Sequence, residues 1–352
     1  MPLLTRVLGA PLAVDIRRGA VGDLAPLLAD GRISAHGDVA IVVGPGLGEE
    51  IVGRLTPALA VHADLFRVSG GGVEAAQALV EQLGRRSYDA VVGIGGGRTL
   101  DVAKYAATMV GLPMVAVATS LAHDGLASPV ASLEHAGRKG SYGVQIPIAV
   151  IVDLDYVLRS PPAQRRAGIG DAVSNLSAVA DWELARQERG ERVDGLAVSL
   201  ARTSGVAVLG GAGDIDNCQF LTTLAEALVL SGLAMAVAGS SRPCSGGCHE
   251  ISHAIDLLFP GTGSHGEQVA VGALFTFFLR EDPVVADIDA CLRRHGLPRL
   301  PADLGLNDGQ FAEAVAHAPA TRPDRYTILE HLNLGLDDIR KRVDEFLFAF
   351  DR

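Results

Sequence analysis

Cysteine is scarce in this chain: Cys218, Cys244, Cys248 and Cys291 are the four in 352 residues, and no two form a C-x-x-C pair. A disulfide framework is therefore excluded, and a reduced, cytoplasmic setting is expected. Positive charge is also in deficit, with 30 Lys and Arg against 41 Asp and Glu and a formal net charge of −11. That balance excludes a broad surface for nucleic acid or an anionic membrane, though not a local basic pocket for one phosphate. Long apolar runs are missing too. The longest, residues 224–239, is interrupted by Glu226 and reads as a buried helix, so no membrane segment is expected. At the start, Arg6 and Asp15 flank a short apolar run without the basic, apolar, cleavage-site order of a signal peptide. No internal repeat or low-complexity segment is visible. What is abundant is hydrophobic sequence, 48% against 20% charged, which describes a well-buried globular protein of one large or two ordinary domains.

The first half alternates short β-type runs with helical ones. Residues 39–43, 89–94, 114–117 and 149–152 are continuous apolar strands, separated by helical stretches at 75–83 and 99–110. This rhythm predicts a parallel sheet with helices on its faces. Residues 134–141 read as the turn of a hairpin. Beyond Ser160-Pro161-Pro162 the character changes to long Ala- and Leu-rich helical stretches, ending on a helix over 343–350. The expected architecture is α/β: a Rossmann-like parallel-sheet domain over residues 1–160, then an all-helical domain over 161–352.

Three segments carry chemistry. Gly95-Gly96-Gly97-Arg98-Thr99 joins a strand to a helix. Glycines there let backbone N–H groups approach a phosphate at a helix N-terminus; three in a row are costly for a mere turn, which favours the phosphate reading. The spacing fits neither G-x-G-x-x-G nor the P-loop. After the next strand come Thr119, Ser120, Leu121, Ala122, His123, Asp124 and, further on, Ser128. Small polar residues at that point sit where ligands collect in open α/β sheets. Asp124 either orients a substrate hydroxyl or is an ordinary turn aspartate; His123 reads as structural. The third segment, residues 241–272, holds His249, His253 and His265. His249 and His253 are one helical turn apart and share a face, and neutral imidazole is the commonest zinc ligand. They also spell H-E-x-x-H with Glu250, the zincin signature. Cys244 and Cys248, just before, read as small buried thiols rather than metal ligands. From position alone, Asp171 in Gly168-Ile169-Gly170-Asp171 reads as a helix cap.

Taken in order, G-x-G-G-G-x-x-x-D-x-x-K (93–104), T-S-x-x-H-D-G-x-A-S (119–128), G-I-G-D-A-x-S-N (168–175), S-R-P-C-S-G-x-x-H-x-x-x-H-A-x-D (241–256) and H-G-E-Q (265–268) resemble the sn-glycerol-1-phosphate dehydrogenase family. That family comprises archaeal and bacterial AraM-like members, and it lies among the iron-type alcohol dehydrogenases and dehydroquinate synthases. The resemblance runs from about residue 39 to 275. It implies that Gly95, Gly96, Gly97, Arg98, Thr99 and Asp101 bind the pyrophosphate side of NAD or NADP. Thr119, Ser120, Leu121, Ala122 and Ser128 would line the nicotinamide half, and Asp124 would contact substrate. Asp171, His249 and His265 would hold one divalent metal, zinc or in some bacterial members nickel, while His253 would face the substrate. The chain departs from the family where Gly247-Cys248 replaces the usual small residue and glutamate before the first histidine, which leaves Glu250 after it.

The implied reaction is reversible reduction of dihydroxyacetone phosphate to sn-glycerol 1-phosphate, with His253, or a water it relays, as proton donor. A cleft between the two domains is the expected place for it, in a homo-oligomer. Arg242 and Lys139 are the candidates for the substrate phosphate. The nearer alternatives are a sibling dehydrogenase for another polyol or phosphorylated ketone, and a cyclase or lyase of the dehydroquinate synthase type. A zincin peptidase would give the glycine loop no role, and Asp256 stands where the metzincin extension needs glycine.

Overall fold

The computed structural model describes residues 9–351, so Arg6 lies outside the described residues. The chain divides into two compact units, Met1–Ser160 and Pro161–Arg352.

The first unit has strands β1 (Ala13–Arg17), β2 (Asp38–Val43), β3 (His62–Arg67), β4 (Ala90–Gly95), β5 (Met114–Ala118), β6 (Val130–His135), β7 (Arg138–Gly143) and β8 (Ala149–Asp153). Its helices are α1 (Leu24–Leu28), α2 (Leu47–Leu55), α3 (Val73–Leu83), α4 (Gly97–Met109) and α5 (Leu154–Arg159). Six strands form one parallel sheet in the order β1-β8-β5-β4-β2-β3. The four central strands are buried along nearly their whole length, as a sheet covered on both faces requires. Val39, Ile41, Val43, Val92, Ile94, Val115, Val117 and Ile151 pack with α1 and α2 on one face. On the other face Gly93 lets α4 approach, since a Cβ there would stand 3.0 Å from Ala103 Cβ. The edge strands β1 and β3 were not evident in the sequence. Their residues, AVDIR and HADLFR, alternate between half-buried and exposed and mix in charge.

The order of strands reverses between β2 and β4. Gly44 and Gly48 follow the C-terminal end of β2, and Gly95–Gly97 follow that of β4, so both glycine turns meet at the switch point. Apart from the sheet, β6 and β7 form the expected antiparallel hairpin, closed by Ala136 (φ 50°) and Gly137 (φ 74°). That two-residue turn, with both residues left-handed, suits the strand twist.

The second unit contains no strand among its described residues. Its helices are α6 (Pro162–Arg189), α7 (Gly195–Leu209), α8 (Cys218–Ala238), α9 (Gly247–Leu258), α10 (His265–Leu279), α11 (Val284–His295), α12 (Asp308–Thr321), α13 (Ile328–Leu332) and α14 (Leu336–Phe350). Pro162 begins α6, where its missing N–H costs nothing, and Gly190 (φ 67°) ends it. Only α8, among the described residues, is long and apolar enough to cross a bilayer, and 67% of its most apolar window is buried inside the protein. Phe275 on α10 meets Phe311 of α12 and Phe346 of α14 edge-on, with centroids 5.2 Å apart in both pairs. Each such pair adds about 1 kcal/mol beyond its buried area. An α/β sheet domain followed by a helical one is the architecture that the sequence predicts.

Candidate metal centre and glycine loop

Asp171 does not cap a helix. It lies in the third turn of α6, which runs unbroken from Pro162. The glycines that suggested a helix start serve a different purpose. A Cβ on Gly170 would lie 2.1 Å from the Gly266 carbonyl oxygen, and one on Gly266 would lie 2.0 Å from that of Ala167. Helices α6 and α10 therefore touch backbone to backbone, and this brings Asp171 beside His265, the first residue of α10. The start of α10 is fixed by Glu267, whose carboxylate accepts from Ser264 N at 2.7 Å. Helix α9 is fitted equally closely. A Cβ on Gly272 of α10 would approach Cys248 O to 2.7 Å, and Gly247 N donates to the buried Asp181 carboxylate at 2.8 Å. Asp181 also accepts from Ile328 N (2.7 Å) and pairs with Arg280, so one buried carboxylate ties α6 to α9, α10 and α13.

The result is a convergence of three side chains from three helices. Ligand atoms of Asp171, His249 and His265 all lie within 4.8 Å of one another. His249 Nε2 is 3.8 Å and His265 Nε2 3.7 Å from Asp171 Oδ1. Two imidazole nitrogens and one carboxylate oxygen suit zinc or a similar borderline cation, whereas calcium and magnesium favour all-oxygen sets. Three protein ligands also leave room for water or substrate. The residues present thus fit a divalent ion. Burial, reinforced by His265 and then by His253, Arg325 and Arg322, holds His249 well below the usual imidazole range, so it is neutral, the form that ligates.

His253, half-buried one turn along α9, is outside this cluster but near enough for its charge to act on His249. Glu250 points elsewhere. It is 1% exposed, its Oε2 meets Thr327 Oγ1 at 3.1 Å, and burial pushes its carboxyl up to about 8. With Glu250 turned to Thr327, and with His265 rather than His253 beside His249 and Asp171, H-E-x-x-H here does not form a peptidase site. Cys248 is fully buried and pushed up to about 12, mainly by desolvation. It is a neutral thiol outside the ligand cluster. Arg242 is engaged by Glu191 through two bonds of 2.7 and 2.6 Å and also donates to Tyr326 O, while Lys139 lies exposed on β7 of the first unit.

In the first unit the glycine loop is shaped by neighbours that leave no room for side chains. A Cβ on Gly95 would be 2.8 Å from Thr99, one on Gly44 2.0 Å from Thr99 Oγ1, and one on Gly97 2.1 Å from His123 Nε2. Gly96 caps α4 without a side-chain bond, and Thr119 N donates to Gly95 O at 3.0 Å, which ties the second motif to the loop. His123 Nδ1 accepts from Gly125 N at 2.9 Å, which leaves the proton on Nε2, beside Gly97. Thr119, Ser120 and Leu121 are buried; Ala122 and Asp124 are half-buried; Arg98 is exposed. Asp101 and Ser128 turn inward around the fully buried Lys104. Its Nζ is 3.2 Å from Asp101 Oδ1 and reaches Ser128 O and Oγ at 3.3 and 3.4 Å. That lock fixes the 119–130 loop against α4. Lys104 stands in the sequence motif, but nothing in the motif tells that it is an interior pin.

A parallel sheet with a glycine turn at its switch point, followed by a helical unit holding an Asp-His-His cluster, defines a class, and comparison with known proteins names it. The family profile of iron-containing alcohol dehydrogenases matches residues 15–161. A solved structure of a probable glycerol dehydrogenase from Sinorhizobium meliloti 1021 superposes with a TM-score of 0.77 over 97% of this chain and 98% of that one, at 23% identity. Among sequence relatives, the glycerol-1-phosphate dehydrogenase [NAD(P)+] of Hyperthermus butylicus is 36% identical over 325 residues, 91% of this chain and 92% of its own. The enzyme of the same name from Archaeoglobus fulgidus is 39% identical over 76% of this chain and 78% of its own. The chain belongs to the glycerol-1-phosphate dehydrogenase family, and it is an oxidoreductase.

Proposed function

We propose that this protein reversibly reduces dihydroxyacetone phosphate to sn-glycerol 1-phosphate, using NADH or NADPH and one divalent metal, zinc or else nickel. The observation that carries the reading is the Asp171-His249-His265 cluster in a chain of this family. In the proposed division, residues 1–160 bind the dinucleotide through Gly95, Gly96, Gly97, Arg98, Thr99, Asp101, Thr119, Ser120, Leu121, Ala122 and Ser128. Residues 161–352 carry the metal and the substrate contacts. Held by Asp171, His249 and His265, a cation would supply Lewis acidity towards the ketone, and a bound dinucleotide would supply hydride.

The chain's own residues do the rest. Asp171 supplies the negative charge of the ligand set, and the neutral His249 supplies a nitrogen lone pair. His253, half-buried on the same helix, would deliver a proton to the substrate oxygen, and Asp124 would orient a substrate hydroxyl. A phosphate dianion needs a cation near the cluster. Arg322 and Arg325 are the two whose charge reaches His249. Arg325 is bound to Ser245 O and, at 2.7 Å, to Ser241 Oγ. Arg322 makes no side-chain hydrogen bond among the described residues, so it is assigned to the phosphate. Four cysteines in 352 residues, with no C-x-x-C pair, support a cytoplasmic setting, and the family resemblance supports a homo-oligomer.

The test is NAD(P)H oxidation with dihydroxyacetone phosphate against unphosphorylated dihydroxyacetone and other polyol-derived ketones, with zinc or nickel added. Turnover of the phosphorylated ketone is expected. Turnover confined to an unphosphorylated ketone would assign the chain to a sibling dehydrogenase instead.

A further inference from the structure

Beyond the ligands themselves, the hydrogen bonds behind the two histidines determine which ring nitrogen carries the proton. Gln268 lies on α10 and is fully buried. One of its amide atoms is 2.7 Å from the Thr262 carbonyl and 3.0 Å from Asp256 Oδ1. A carbonyl oxygen only accepts, so that atom is Nε2, and the atom on the other side, facing Ser252, is Oε1. Ser252 Oγ stands 2.6 Å from Gln268 Oε1. Since Oε1 cannot donate, the serine hydroxyl gives its single proton there. Ser252 Oγ is also 3.2 Å from His265 Nδ1. With its proton already committed, it can only accept, so Nδ1 bears the hydrogen and Nε2 keeps its lone pair. Nε2 is the atom that faces Asp171.

The same logic runs behind His249. Cys248 Sγ is 3.8 Å from the Ser174 carbonyl and 3.4 Å from His249 Nδ1. With the thiol proton on that carbonyl, the sulfur accepts from Nδ1–H and His249 Nε2 keeps its lone pair towards Asp171. This gives a role to the cysteine at which the chain departs from the family pattern.

We propose that Gln268, Ser252 and Cys248 are positioning residues that hold both histidines in the Nδ1-protonated tautomer before any ion arrives, so that the cluster is ready-made for a divalent cation. The inference rests on the metal reading of the Asp171-His249-His265 cluster. Outer partners of this kind change metal affinity by about 10–100-fold when removed.

The direct test is nitrogen-15 NMR of the histidine rings in the full-length, metal-free protein near neutral pH. Both rings should show a protonated Nδ1 and a lone-pair Nε2; a protonated Nε2 on His265 or His249 overturns the proposal. A second test is zinc affinity, measured by competition with a chromophoric chelator. Ser252→Ala should bind zinc about 10–100-fold more weakly, while Ser252→Thr, which keeps the hydroxyl, should stay closer to the parent. Parent-like affinity in a folded Ser252→Ala protein also overturns it. His265→Ala separates the two levels of the argument. If it too binds zinc like the parent, the metal reading itself fails; if it loses zinc while Ser252→Ala does not, only the positioning role fails.

Discussion

Glu250 and Arg322 are the residues where charge decides chemistry. Glu250 is buried, its carboxyl is raised by that burial to about 8, and it is turned towards Thr327. Glu250→Gln should therefore leave ketone reduction near the parent rate and create no peptidase activity; loss of turnover together with peptide cleavage in the parent would restore the peptidase reading. Arg322 has the opposite profile, a cation near the cluster with no hydrogen-bonded partner among the described residues. A charge-assisted bond to phosphate contributes about 1.5–3 kcal/mol. Arg322→Ala should thus raise KM for the phosphorylated ketone by about 10–100-fold with little change for dihydroxyacetone. An equal effect on both ketones would count against the phosphate role. Local spacing in the sequence singles out His249 but pairs it with His253; His265 as its partner follows only from the family resemblance. Asp171 was not legible from local rules. A glycine-flanked aspartate reads as a cap, and only the approach of α10 shows why those glycines are inside a helix. Arg322 lay outside every motif, because a residue brought in from a remote helix end leaves no spacing to read.

The cluster exists only because α6, α9 and α10 pack closer than ordinary side chains allow. Gly170 and Gly266 are the contact points, each with a backbone carbonyl about where a Cβ would be. Gly266→Ala should force α10 away from α6, destabilise the protein by at least about 1–3 kcal/mol in urea unfolding, and weaken zinc binding by displacing His265 from Asp171. An unchanged urea midpoint and unchanged zinc affinity would show that the crossing tolerates a methyl group. Legibility differed between elements for a physical reason. Strands β2, β4, β5 and β8 are covered on both faces and so read as unbroken apolar runs. Strands β1 and β3 are edges, half-solvated and partly charged, and their sequences resemble loops. The H-E-x-x-H spelling does not make a ligand pair, because i and i+4 on one helix face permits joint ligation without requiring it. Here the second imidazole comes from α10 instead of from the same helix.

At the scale of the whole molecule, stability should depend on acid through a histidine remote from the cluster. His295, stacked on Phe220 with centroids 4.5 Å apart, is held by burial at about 4 against an ordinary 6.5. Its folded value is the lower one, so between those limits the unfolded chain binds the extra proton. The His295 contribution to stability is therefore fully present above about pH 6.5 and is lost as pH falls towards 4. His295→Phe should flatten that part of the urea midpoint against pH curve; an unchanged slope would remove His295 as its source. The proposed function requires a metal held by Asp171, His249 and His265 for reduction of a phosphorylated three-carbon ketone. It is tested most directly by stripping the protein with chelator, reloading it with zinc or nickel, and following NAD(P)H oxidation with dihydroxyacetone phosphate at each stage. Turnover should be lost on stripping and restored on reloading in the parent, with no restoration in His265→Ala. Full turnover in the stripped protein, or in His265→Ala, would contradict it.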